Sequence, residues 1–348
     1  MDRPSLDSFA ARHRLPAPAL DAALALTGLR PEGAAWRAFA ATLLRAAGVA
    51  GVGAGALFFV AANWQAWGLA GRFALLQVAL LGCVAVALWR APPAPAGQAA
   101  LVLATLLAGG LLALFGQSYQ TGADLHELFF TWALLALPFA LAGLSGALWA
   151  VWWTVLNIGL ALWCGWLGPE HFAWRLLDGR GIDHPTLLML PCLVNLAGAA
   201  AFVALRNTRV ALVAPPWLAR YLASLGLSFG TAAVLMVVTS TWRHSTADAA
   251  GAGAGHGAAP VLLFAALSAG IAFAAWRRRT DVFPLALIAA SWIAISTTAL
   301  ARAMRFDDIG AFFMIALWLI AASTAAGMLL MHCVRAWSDA PSTEGAIA

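Results

Sequence analysis

Long apolar runs alternate with short polar joins along nearly the whole chain. We read runs at residues 43–62, 73–89, 98–115, 127–143, 146–167, 185–205, 217–240, 258–276, 282–300 and 309–331. Each is near the roughly 17–25 residues that a helix needs to cross a bilayer. The predicted fold is therefore all-α: a polytopic transmembrane helix bundle of about ten spans. Residues 1–40 break this pattern. Leu6, Phe9 and Leu15 punctuate a polar stretch, Pro16, Pro18 and Pro31 interrupt it, and Leu20 and Leu24 share one helical face. The expected organisation is a small helical cytoplasmic or interfacial segment over 1–40, a transmembrane bundle over 41–333, and a disordered polar tail over 334–348.

Composition removes the soluble alternative. Of 348 residues, 63% are apolar and 10% charged, against roughly 25% charged in soluble domains. A chain this poor in charge lacks the polar shell that water requires. All 20 basic residues are arginine. They flank apolar runs instead of lining a recognition helix, so a nucleic-acid partner is not expected. The lipid bilayer is the expected partner, with a further membrane protein as a second. With the N-terminus inside, 14 arginines fall on the cytoplasmic side and six on the other. The excess marks the cytoplasm, so both termini are expected there.

Polar groups are few enough to be weighed singly. Asn63 and Gln65 end the first run. Gln117, Tyr119, Gln120 and Asp124 lie in the join after the third, followed by His126 and Glu127. In the expected topology both clusters face outward, and these six residues are the candidate ligand-binding set. The competing reading is local: a turn, an interfacial tyrosine, and Asp124 with Glu127 as a capping box. Gly122 and Gly116 would let the join fold back tightly. Asn157 and Asn195 fall near the middles of the fifth and sixth runs. Amides at that depth bond across helices, and we expect these two to bond each other. Pro191, one turn before Asn195, removes a backbone donor there. Gly51 and Gly55 form a close-packing pair expected to be used within the chain.

The segments LFFVAANWQ (residues 57–65) and FGQSYQTGAD (115–124) resemble the bacterial membrane proteins grouped as domain-of-unknown-function family 2157. The polar N-terminal segment and the late pair of spans joined around Arg302 fit the same family. The resemblance implies a multi-span protein of the bacterial plasma (inner) membrane. It implies no catalytic residue, since the family has no established activity.

Three catalytic patterns fail on context. Gly226–Gly230 matches G-x-S-x-G but lies within a span, with no strand before it. Ser145 after Gly143 has no histidine deep in a facing span. Asp124, His126 and Glu127 are nearly consecutive, and a closed metal site would need ligands from elsewhere. The four cysteines form no paired motif. No cofactor, metal site or catalytic residue is expected. The favoured reading is a non-enzymatic accessory, sensing or partner-binding membrane protein. The alternative is a transporter or binding protein for a small or lipid-like solute entering from the outer face.

Overall fold

A computed structural model describes residues 6, 9, 10, 12, 13, 15–26, 33–119, 122, 124–165, 185–205, 215–244, 254–278, 281–304 and 309–338. They are almost wholly helical, with no strand among them. In chain order the helices are α1 (Ala17–Leu26), α2 (Gly33–Asn63), α3 (Leu69–Trp89), α4 (Pro95–Tyr119), α5 (Leu125–Ala142), α6 (Gly146–Trp163), α7 (Met189–Leu205), α8 (Pro216–His244), α9 (Ala254–Arg278), α10 (Phe283–Ala303) and α11 (Ile309–Ser338). Short 3-10 turns precede α3 (Trp64–Ala66) and α7 (Pro185–Leu188). Nine helices among the described residues are long and apolar enough to cross a membrane, and α2 contains the remaining expected run at 43–62. The chain is an all-helical membrane bundle of about ten spans.

Several helices outrun the apolar runs that announced them. α2 begins ten residues before 43 and passes unbroken through residue 40. α4 continues past Phe115 to Tyr119, and α11 continues to Ser338. Hydropathy marks the bilayer, whereas a helix ends where another partner takes its backbone groups. Polar residues at a span's end can extend the helix into the headgroup layer.

Two compact units divide the chain at Arg72 and Phe73. In the first, Leu6 and Ala10 are buried and the Phe9 ring rests on His13, with centroids 4.3 Å apart. Within 4 Å of a Cβ built at Gly51 or Gly55 there is nothing among the described residues, so the close packing expected of this pair is not seen there.

The second unit is built around α8, which packs against α7, α9 and α10. Its buried core joins Leu188, Met189, Leu227, Val234, Phe264 and Ile295. A second cluster sets Trp153 against Ala199, Phe202, Leu218 and Leu222. α5 and α6 form an antiparallel hairpin, with α4 against α5. Lipid tails are as apolar as leucine, so burial of apolar surface drives no association inside the bilayer. Close van der Waals fit and hydrogen bonds must do so. Glycine supplies the fit at several contacts. The Trp153 ring lies where a Cβ on Gly198 would come within 2.7 Å of it. The Phe264 ring lies against Gly230, and the Trp132 indole occupies the space beside Gly109.

Candidate functional site

The candidate ligand-binding residues belong to the two different units and are described separately. Asn63 is half-buried at the end of α2, and Gln65 is exposed on the following 3-10 turn. That turn is held by a residue outside the candidate set. Arg72 Nε donates to the carbonyls of Trp64 and Trp67, both at 3.0 Å, and its guanidinium stacks 5.0 Å from the Trp64 ring. A charged donor shared by two helix-end carbonyls is a strong local clamp.

Gln117 and Tyr119 lie on the last turn of α4, not on a loop, and both side chains are exposed. Tyr119 packs its ring against Phe115 at 4.8 Å and Phe73 at 6.5 Å. Gln120 lies outside the described residues. Gly122 adopts φ +65, the left-handed conformation that glycine takes without a steric penalty. Gly116, by contrast, is helical. Asp124 occupies the N-cap position of α5 with extended backbone, but its side chain makes no cap bond. Its main-chain carbonyl accepts from Glu127 N at 3.0 Å and Leu128 N at 3.4 Å. The capping box is therefore absent. The Asp124 carboxylate is exposed, and an exposed anion gives up hydration for any bond it makes.

At mid-depth the structure brings the two predicted amides together. Asn157 Nδ2 donates to Asn195 Oδ1 at 3.0 Å, and Asn195 Nδ2 donates to Asn157 Oδ1 at 2.5 Å. Each amide gives its other N–H to the carbonyl one turn back: Asn157 to Trp153 O and Asn195 to Pro191 O, both at 2.7 Å. Both residues are buried. All four amide hydrogens are used, so the pair is closed on itself and bridges α6 to α7.

Pro191 has no N–H, so the helical partner of Leu187 O is missing. Cys164 Sγ sits 3.5 Å from that carbonyl as its donor. Nothing in the pattern of apolar runs announced this role for the buried Cys164.

Tryptophans supply further cross-helix bonds. Trp132 Nε1 on α5 donates to Thr105 O on α4 at 2.7 Å. Gly109 is one turn after Thr105, and its bare backbone leaves room for the indole to reach that carbonyl. Trp152 Nε1 on α6 donates to Ala133 O on α5 at 2.8 Å. Thr154 Oγ1 and the Tyr221 hydroxyl lie 2.8 Å apart and tie α6 to α8.

The α5–α6 turn is fastened from α4. Gln98 Nε2 is 3.3 Å from both Gly143 O and Leu144 O, while Leu144 itself takes φ 47. Ser145 caps α6 by accepting from Ala147 N at 3.3 Å. This accounts for the G-x-S-like turn without a reaction. The G-x-S-x-G pattern has a similar explanation: Gly226 and Gly230 are close-packing positions, and Ser228 between them is exposed.

Among the described residues, no group of three or more His, Cys, Asp or Glu side chains is arranged to hold a metal ion. All four cysteines are free thiols.

No curated protein matches the chain, and neither does any solved structure. A family model does match its N-terminal part. The matched region contains both polar segments, 57–65 and 115–124, and stops short of the join around Arg302. From residue 7 to residue 149 the chain matches the family described as predicted membrane protein (DUF2157).

Proposed function

We propose that the protein is a non-enzymatic accessory or sensing component of the membrane that works by binding a partner within the bilayer. The observation that carries this reading is the closed Asn157–Asn195 pair. A carrier needs polar groups near mid-depth that can exchange their bonds with a solute. Here the two amides spend every N–H on each other and on local carbonyls. Aromatic rings fill the glycine surfaces around them. This supports activity at the outer surface of the bundle over passage through it. α11 offers such a surface: none of its most apolar 18 residues is buried, and Phe313, Leu317 and Ile320 are exposed along it. Gln117, Tyr119 and Asp124 offer polar contacts at one end of the second unit, and Asn63 and Gln65 offer them in the first.

Photo-crosslinking residues installed singly at Phe313, Leu317 and Ile320, in cells, test the reading. A discrete protein adduct recurring at helical spacing is expected. Lipid adducts alone at every position overturn it, and uptake of a solute by the purified protein in vesicles would favour the carrier reading.

We further read both termini as cytoplasmic on the arginine excess of 14 to six, and the membrane as the bacterial inner membrane on the resemblance of segments 57–65 and 115–124. Cysteines introduced at Ser5 and Ser342, both outside the described residues, should resist a membrane-impermeant maleimide in intact cells. Labelling of either one overturns the orientation.

A further inference from the structure

One end of the second unit, where α8 and α10 begin and α9 finishes, carries arginines that the reading above does not use. Arg220 on α8 donates from Nε to Asp281 Oδ2 at 2.9 Å, and its guanidinium lies 5.6 Å from the Phe283 ring. Asp281 Oδ1 accepts from Phe283 N at 3.0 Å and so starts α10. Arg277, at the end of α9, is exposed, with its guanidinium 5.9 Å from the ring of Phe273 one turn back. Helical side chains lean toward the N-terminus of their own helix. Because α9 ends here, that lean turns Arg277 back along the apolar flank. Because α8 begins here, the same lean turns Arg220 outward to Asp281. Among the described residues Arg277 faces no carboxylate, and Arg220 is half-exposed beside its one partner. Trp217 and Trp276, both exposed, stand at the same end, as tryptophans do at the level of lipid headgroups.

We propose that Arg277, together with Arg220 beside Asp281, binds the phosphate of an anionic phospholipid headgroup. The acyl chains would lie along the exposed Phe273 and Trp276 on the flank of α9. Guanidinium forks match phosphate oxygens in pairs. A guanidinium folded back over an exposed apolar ring meets phosphate and hydrocarbon together, which selects a lipid over a free anion. Asp281 competes with the phosphate for Arg220, so removing its charge strengthens binding.

The test uses the full chain in detergent, with phosphatidylglycerol or phosphatidylcholine added and the retained lipid counted by native mass spectrometry. Phosphatidylglycerol should be retained over phosphatidylcholine. R277Q should weaken its binding about fivefold, the equivalent of ~1 kcal/mol for one arginine at the membrane surface. R302Q, at the far end of α10, should leave it unchanged. D281N keeps the oxygen that accepts from Phe283 N and should bind phosphatidylglycerol more tightly than the wild type, an increase that a damaged fold would not produce. Equal retention of the two lipids, equal behaviour of R277Q and R302Q, or D281N binding no tighter than the wild type overturns the proposal. Displacement of phosphatidylglycerol by an equal concentration of inorganic phosphate overturns the lipid assignment in favour of a free-anion site.

Discussion

Replacing Asn157 and Asn195 with leucine, singly and together, separates a register-fixing pair from a merely tolerated one. Leucine keeps the branching of the asparagine side chain and removes its polarity. Either single substitution deletes both cross-helix hydrogen bonds, at 3.0 and 2.5 Å. It also leaves the remaining amide with one N–H and its oxygen unpaired in a buried position. Interhelical bonds in membranes average ~0.6 kcal/mol and reach ~1.7, so two are worth ~1–3 kcal/mol. A stranded buried polar group adds ~1–3 kcal/mol. Each single variant should therefore lose ~2–6 kcal/mol. The double variant strands nothing, since each backbone carbonyl keeps its own helical bond, and should lose only the ~1–3 kcal/mol of the two cross-helix bonds. Unfolding by added sodium dodecyl sulfate in maltoside micelles, followed by circular dichroism, reads these differences. A double variant whose loss equals the sum of the two singles refutes the reasoning, as do single losses below ~0.5 kcal/mol.

The same unfolding assay checks three further substitutions. G109A places a methyl group inside the Trp132 indole and should cost ~1–3 kcal/mol by overpacking. G82A, with nothing within 4 Å of the new Cβ, should be neutral or stabilising by up to ~1 kcal/mol; equal losses would show that the Gly109 contact is not tight. Q98L removes the donor shared by Gly143 O and Leu144 O and should lose ~1 kcal/mol, and no change at all would show that water replaces Gln98 freely.

The spans were legible because apolar length is a direct requirement of the bilayer, and length survives any arrangement of neighbours. The Asn157–Asn195 bond was legible for a related reason. Two amides near mid-depth have almost no alternative partners, so scarcity fixes the pairing. The outer residues offered no such scarcity. At the headgroup layer water competes for every bond, so Asp124 was free to leave its cap position unbonded and Gln117 to ride on a helix end. The sequence pattern marked a polar segment there, and only geometry decides what each side chain does.

Five of the contacts that were missed share one physical feature: each pairs a side chain with a main-chain carbonyl. Trp132 meets Thr105 O, Trp152 meets Ala133 O, Gln98 meets Gly143 O, Arg72 meets Trp64 O and Cys164 meets Leu187 O. Every residue has a carbonyl, so the acceptor leaves no trace in the sequence. The donor does leave one, because a tryptophan or glutamine at a span surface must bond something or lose free energy in hydrocarbon. Glycine one turn along from an acceptor, as Gly109 follows Thr105, is the nearest thing to a signal for the acceptor itself. It bares the carbonyl and fits the ring at once. Trp132 and Gly109 are thus better read as a pair across helices than as an interface anchor and a helix breaker separately. Where such pairs fill the interior, close fit has replaced the hydrophobic drive that lipid does not supply. The surface beyond them, α11 included, is left to lipid.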